Sequence, residues 1–452
     1  MTDLLIRNCE LGGRIVDILI EGGRVAAIGP GIRARCETID ARGGAVIPGL
    51  ADHHIHLLAA AAARASVNLD YARGVDEMIA RLSVSGRGWL RVTGYHEHHH
   101  GPLDRAELDR IAPGRPVRVQ HQTGGLWILN SVAIAQLDLA GAPAGVNVIS
   151  GHFARVDDWV REQLRDTVPD LKPIAHALAA VGVTSVTDAS VTNDQRSMAA
   201  IAKARADRIL PQSVTMMSGG PLSTDGDIAV GPVKILLDDH DLPPLDELID
   251  RFVSARTWGR RIAVHCVTAA ELALALAAFA TVGSISGDRI EHGGVIAIDA
   301  IPEIARLGLT VVTQSAFPFE RGDRYLATVD RRDIGDLYRC GTLKRAGVAV
   351  AGSSDAPYGT LDPWCAMRAA IDRRTADGQS IGPEEALAPR AALALYLGSQ
   401  ANPGDAPRRV ELGAPADICL LHEPLDIATA DLSHELVAAT IIAGQIAHHA
   451  KA

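Results

Sequence analysis

The feature that most constrains this chain is a rhythm: strand-like apolar runs alternate with amphipathic helical stretches through its long middle section. The apolar runs are Ala45–Ala51, Val183–Thr187, Leu210–Met216, Val233–Leu237, Ile262–His265, Asp288–Glu291, Leu309–Thr313 and Val348–Ala351. Helical periodicity fills most of the gaps, at Asp194–Arg208, Leu245–Trp258, Ala269–Ala280, Ala300–Leu307, Leu337–Ala346 and Trp364–Arg374. Parallel strands joined by helices are buried on both faces, so they read as continuous apolar runs rather than as alternation. Eight of them is the number that closes a TIM-type (β/α)8 barrel, and that α/β fold is the expectation here.

Two further strands, Trp89–Gly94 and Val117–Gln120, fall between the first and second barrel strands, with helix-like Leu103–Ile111 and Ser131–Ala140 beside them. The interval is far longer than an ordinary βα connection. It predicts an inserted subdomain at about 66–165, hanging over the C-terminal face of the barrel as a cover. Both ends of the chain read instead as short strands broken by glycine: LLIRN, RIVDILIEGG and RVAAIGPG at the start, ADICLL and VAATIIAGQIAHH at the finish. Residues 1–47 and 403–452 are therefore expected to pair into one small β-sandwich-like domain, leaving 48–402 to the barrel.

Composition narrows the class of protein. The chain is 47% hydrophobic and 22% charged with a formal charge of -10, which suits a globular core and gives no electrostatic reason to bind nucleic acid or an anionic membrane. The N-terminal segment has early charges and no continuous apolar stretch, and the apolar run Leu272–Val282 is too short to span a bilayer. Six cysteines are scattered without a CxxC pair, arguing against a disulfide framework or a thiolate zinc site and fitting a reducing cytoplasm. The expected partner is a small-molecule substrate, and a homo-oligomer remains open.

The chemistry concentrates in histidines, 17 of them. In Pro48-Gly49-Leu50-Ala51-Asp52-His53-His54-Ile55-His56, alternate residues of a strand face the same way. His54 and His56 would point into the barrel together, with Asp52 behind them and His53 facing away. Two imidazoles on one face can hold a divalent cation. Other ligand-type residues recur at strand ends: Lys234 in GPVKILLDD, His265 in RIAVHC, His292 in RIEHGG and Asp355 in VAVAGSSDAP. Catalytic groups of a TIM barrel come from several such ends.

As a set, these motifs resemble the amidohydrolase superfamily, and the flanking text is similar to the branch that includes N-substituted formamide deformylase. The matching stretches are GYHEHHHGPLDRAELDRIAPGRPV, LNSVAI, GVTSVTDA, RIEH, GSSDAPYGTLDPW and LGAPADICLL…IIAGQI, spread over nearly the whole chain. The resemblance implies His54, His56 and Asp355 on one metal ion and His265 and His292 on a second, bridged by a carboxylated Lys234; with Lys234 unmodified the site holds one ion. Zinc is expected first, although imidazole and carboxylate also suit manganese, iron or cobalt. It further implies metal-activated water attacking a non-peptide C–N bond (amide, formamide, cyclic imide or lactam), with Asp355 as catalytic base and acid.

Other readings remain. An esterase or lactonase uses the same attack with a different leaving group. A mononuclear zinc deaminase shares the ligands but needs a glutamate three residues after the strand-five histidine, where this chain has Thr268, with Glu271 beyond it. A non-catalytic scaffold tends to lose ligands that this chain keeps. For substrate contacts the candidates are His96 and His98 in the run GYHEHHHG, His121, and the aromatics Trp127, Phe317 and Tyr358. His121 and Gly125 stand where relatives typically carry arginine and histidine.

Overall fold

The computed structural model describes residues 3–450 apart from 70, 71, 73, 84, 85, 87, 124 and 165–167. The chain divides into two compact units, Met1–Leu57 with Ile174–Ala452, and Leu58–Pro173. The first unit contains eight parallel strands in sequential order: Leu50–Ile55, Val183–Asp188, Ser213–Ser218, Ala229–Ile235, Ile262–Cys266, Arg289–His292, Thr310–Thr313 and Ala349–Gly352. This is the expected TIM-type barrel. Its seam is tied through neighbouring backbone. Ala51 N–H donates to Tyr396 O and Gly352 N–H to Leu395 O, while beyond the strands Asp355 N–H donates to His54 O and His56 N–H to Ala356 O.

Helices cover the outside because their apolar residues recur at helical spacing. Leu245–Thr257 buries Leu248, Phe252 and Ala255, one stripe at i, i+4 and i+7. Ala269–Val282 is apolar nearly all round and packs the Phe279 ring against Phe252 at a centroid distance of 4.7 Å.

Several expected elements move: the helix expected at Ser131–Ala140 is the short Ser131–Ile134, the strand expected at Leu210–Met216 is Ser213–Ser218, and two further changes have a visible cause. The apolar run at Ala45–Ala51 is two strands: Val46–Pro48 pairs antiparallel with Ile418–Leu421, and the barrel strand starts only at Leu50. Gly49 makes the junction, because a Cβ there would lie 2.1 Å from the Thr184 side chain. His54 therefore sits on the first barrel strand, while His56 follows its last residue. The expected helix Leu337–Ala346 shortens to Gly341–Arg345 after a 3-10 turn at Ile334–Asp336. Leu337 and Tyr338 are instead packed with Phe317 and Ile381, and Tyr338 has φ 48, outside helical geometry.

The ends of the chain form two four-stranded sheets. One contains Leu4–Leu11, Arg14–Glu21, Arg24–Gly29 and Glu37–Asp40; the other contains Val46–Pro48, Ile418–Leu421, Val437–Ile442 and Gln445–His449. Ile6, Ile18 and Ile20 of the first meet Ile418, Leu420 and Ile441 of the second in one buried core. The second unit has its own six-stranded mixed sheet, with Val67–Asn68, Leu90–Tyr95 and Val117–His121 parallel and Leu126–Leu129 antiparallel to the last of these. Among the described residues no helix is long and apolar enough to cross a membrane.

Candidate metal centre

Strand geometry brings the six sequence-predicted ligands to the barrel. His54 and His56 come from the end of the first strand, Lys234 from the fourth, His265 from the fifth and His292 from the end of the sixth; Asp355 lies three residues past the eighth. The Asp355 carboxylate is the meeting point. Its Oδ1 lies 3.1 Å from His56 Nε2 and 3.4 Å from His54 Nε2, and its Oδ2 is 4.0 Å from His292 Nδ1. The His54 ring centroid is 5.3 Å from that of His56 and 4.8 Å from that of His292, and His265 follows at 4.4 Å from His292.

The backbone is forced at two of these positions. His292 has φ 69 and Asp355 has φ 53, a left-handed region that non-glycine residues seldom adopt and that persists only where surroundings over-determine it. At His292 the consequence is direct. Arg289 and Glu291 point into the barrel by alternation, and the left-handed turn brings His292 beside the same His54 that Glu291 touches.

Three imidazoles are oriented by what their Nδ1 atoms touch. His54 Nδ1 bonds Glu291 Oε2, and Glu291 is in turn held by the buried Arg289 guanidinium. His56 Nδ1 is 3.0 Å from Ser190 Oγ. His292 Nδ1 is 2.9 Å from Gln314 Oε1, and Gln314 is anchored through Nε2 to Ser353 Oγ at 3.0 Å. With Nδ1 carrying the proton, each Nε2 keeps a free lone pair, the form in which imidazole binds a cation. Burial favours the same neutral form, pushing His54 and His292 well below the ordinary histidine range and His265 down to about 4. Burial also drives Lys234 towards its neutral amine, against the opposing pull of Glu291 and Asp355. Asp52, raised to about 6 by burial, accepts hydrogen bonds from His54 N–H and Ser354 N–H, clamping the first strand to the Asp355 loop.

Lys234 Nζ, His54 Nε2 and Asp355 Oδ1 are buried and make no hydrogen bond; the close approach of His56 to Asp355 Oδ1 is too poorly aligned to count as one. Buried polar atoms left without partners are costly; His54 Nε2 and Asp355 Oδ1 lie 3.4 Å apart, Lys234 interacts electrostatically with both residues, and the set calls for a further group. A donor set of neutral imidazoles, a carboxylate and a neutral amine fits divalent metal.

The other candidates divide. Tyr358 is exposed and lays its ring edge-on to His56, with centroids 5.6 Å apart. Phe317 is buried against Leu337, Tyr338 and Ile381, with Arg321 over its ring at 3.7 Å. His96, His98, His121 and Trp127 belong to the second unit. There the His96 and His121 rings lie 5.0 Å apart, tilted by 40°, His98 is exposed, and Trp127 packs with Leu129 and Phe153. His53 is fully buried, with both ring nitrogens unpartnered and its pKa lowered to about 3 by burial. Sequence reasoning did not assign Glu291, Gln314 or Ser190. The acid inside RIEH, directly before a ligand-type histidine, was the one available signal.

Comparison with known proteins gives a consistent picture. The model of the amidohydrolase family matches residues 37–448. N-substituted formamide deformylase of Arthrobacter pascens is 26% identical, with 98% of this chain and 98% of that protein covered. Among solved structures, an uncharacterized metal-dependent hydrolase from Pyrococcus horikoshii OT3 superposes with a TM-score of 0.77 at 21% identity, all of both chains being covered. N-isopropylammelide isopropylaminohydrolase from Burkholderia multivorans does so with a TM-score of 0.55 at 20% identity, covering 99% of this chain and 98% of that one. With a family match that covers most of its length, the whole barrel included, the chain belongs to the amidohydrolase family, and it is a hydrolase.

Proposed function

We propose that the chain hydrolyses a non-peptide C–N bond in a small molecule (an amide, formamide, cyclic imide or lactam), with divalent metal held by His54, His56, His265, His292 and Asp355. The observation that carries this reading is the convergence of those side chains on buried, unpartnered atoms of His54, Lys234 and Asp355. A bound divalent ion supplies Lewis acidity and lowers the pKa of water from about 15.7 towards 7.

The remaining work falls to the chain itself. Asp355, held between His54 and His56, takes a proton from the attacking water at its carboxylate and returns it to the leaving nitrogen. Glu291, Ser190 and Gln314 keep the imidazoles turned the right way. Lys234, buried and inclined to the neutral amine, is suited to carboxylation: Nζ bonds the carbon of CO₂ and releases one proton to solvent. A carboxylated Lys234 would join the histidines and Asp355 in holding two zinc ions; with the free amine these residues would hold one. Six free cysteines, four of them buried, agree with a cytoplasmic setting.

Deamination is disfavoured by a specific contact. Glu271, the first acid after the fifth strand, is committed to a capping box: its Oε2 accepts from Val267 N–H and Thr268 N–H, while Thr268 caps the helix in return. The test of the main reading is turnover of N-acyl, cyclic-imide and ester panels by protein of known metal content. Hydrolysis of an amide or imide that tracks metal loading supports it. Turnover confined to esters would replace it with an esterase or lactonase.

A further inference from the structure

The inserted unit carries a second group of ligand-type side chains that the hydrolytic site does not use. His96 and Glu97 follow the strand Leu90–Tyr95, and His121 ends the neighbouring parallel strand Val117–His121. Tyr95 pairs with His121 in that ladder, so the two strand ends deliver these side chains to the same place. One ligand atom from each lies within 4.8 Å of the others. His121 Nε2 is 3.0 Å from Glu97 Oε2, and His96 Nδ1 is 3.8 Å from the same oxygen.

We propose that His96, Glu97 and His121, none of them among the six residues of the barrel cluster, form a divalent transition-metal site of the inserted unit. Two imidazoles and one carboxylate are a sufficient protein contribution to such an ion, leaving further positions for water or a small ligand. The surroundings support the ligands. His121 is nearly buried and held in place: its Nδ1 accepts from Thr123 N–H at 3.2 Å and lies 2.8 Å from Thr123 Oγ1, while its Nε2 faces Glu97, so an ion taken on Nε2 moves the ring proton to Nδ1, with Thr123 Oγ1 as its acceptor. The loop is pinned by His100, which is buried: its Nδ1 accepts from His96 N–H at 3.1 Å, and its Nε2 is 3.3 Å from Ala72 O. The competitor for His96 Nδ1 is His98 N–H at 3.1 Å. His98 is exposed, so water can replace that bond when the ion takes the lone pair. Glu97 and His121 also line a cavity of about 600 Å³ within the same unit, beside His152 and Arg155, so an ion there is within reach of small molecules.

The experiment is zinc stoichiometry of the full-length protein, prepared without a polyhistidine tag and dialysed against micromolar zinc, by elemental mass spectrometry. Relative to wild type, H96A/H121A loses one equivalent, whereas H54A/H56A keeps that equivalent. Should the double variant fold poorly by circular dichroism, E97Q provides the same test at an exposed side chain. Competition with a chromogenic chelator then shows zinc at this site bound at least tenfold more weakly. Unchanged stoichiometry in folded H96A/H121A, or unchanged chelator competition in E97Q, overturns the proposal.

Discussion

Asp355 and Glu291 separate the two roles that a buried carboxylate can play beside histidines. Asp355 has an oxygen without a hydrogen-bond partner and stands among three imidazoles, so it can move a proton. Glu291 is saturated by Arg289 and His54, so it orients. Asp355→Asn is therefore expected to lower kcat by about 10²–10⁴-fold, the usual worth of general acid–base catalysis. Metal content by elemental analysis should fall far less. Glu291→Gln should act the other way, weakening metal affinity by about 10–100-fold in chelator titrations, as loss of a ligand's orienting partner typically does. Equal metal retention in both variants would erase the distinction. The proposed ligands were legible as candidates in the sequence because histidine, lysine and aspartate stand at strand ends where a barrel gathers them. Glu291 was not, because strict alternation puts residues 291 and 292 on opposite faces, and only the left-handed turn at His292 brings both to His54.

At the level of elements, order was readable and joints were not. Buried parallel strands announce themselves as apolar runs, which is why all eight were found near their observed places. Hydropathy does not register where one run changes sheets, and Ala45–Ala51 changes at Gly49 because Thr184 leaves no room for a side chain. The shortened helix after Leu337 has a similar cause: its predicted first turn is spent on packing against Phe317. Gly352, on the last barrel strand, is a second close approach, since a Cβ there would lie 2.5 Å from the Tyr396 ring. Tyr396 also lends its carbonyl to Ala51 at the seam. Gly352→Ala should accordingly cost about 1–3 kcal/mol by overpacking, read as a lower denaturation midpoint in urea. The capping residue Thr268 makes a milder test: Thr268→Ala should cost about 1 kcal/mol.

For the molecule as a whole, the barrel supplies a rigid ring of strand ends, and His54 and His292 are turned by their hydrogen bonds and held towards the neutral form by burial before any ion arrives. Such a site binds the folded state alone, so metal and stability are linked. Removing metal with a chelator should abolish turnover and lower stability by up to about 4 kcal/mol where metal stood at a thousand times its Kd, both recovering on zinc addition. The terminal sheets showed in the sequence as short glycine-broken strands, and the inserted segment as an interval too long for a βα connection. The chemical identity of the substrate was not visible, because the loops that meet it follow no periodicity. The central claim is that the barrel cluster binds catalytic metal. An anomalous-scattering map of zinc-loaded crystals tests it most directly. The account predicts density about 2.0–2.2 Å from the His54, His56 and Asp355 ligand atoms, with His265, His292 and Lys234 completing the cluster. A folded, active enzyme with no metal peak among these residues would contradict it.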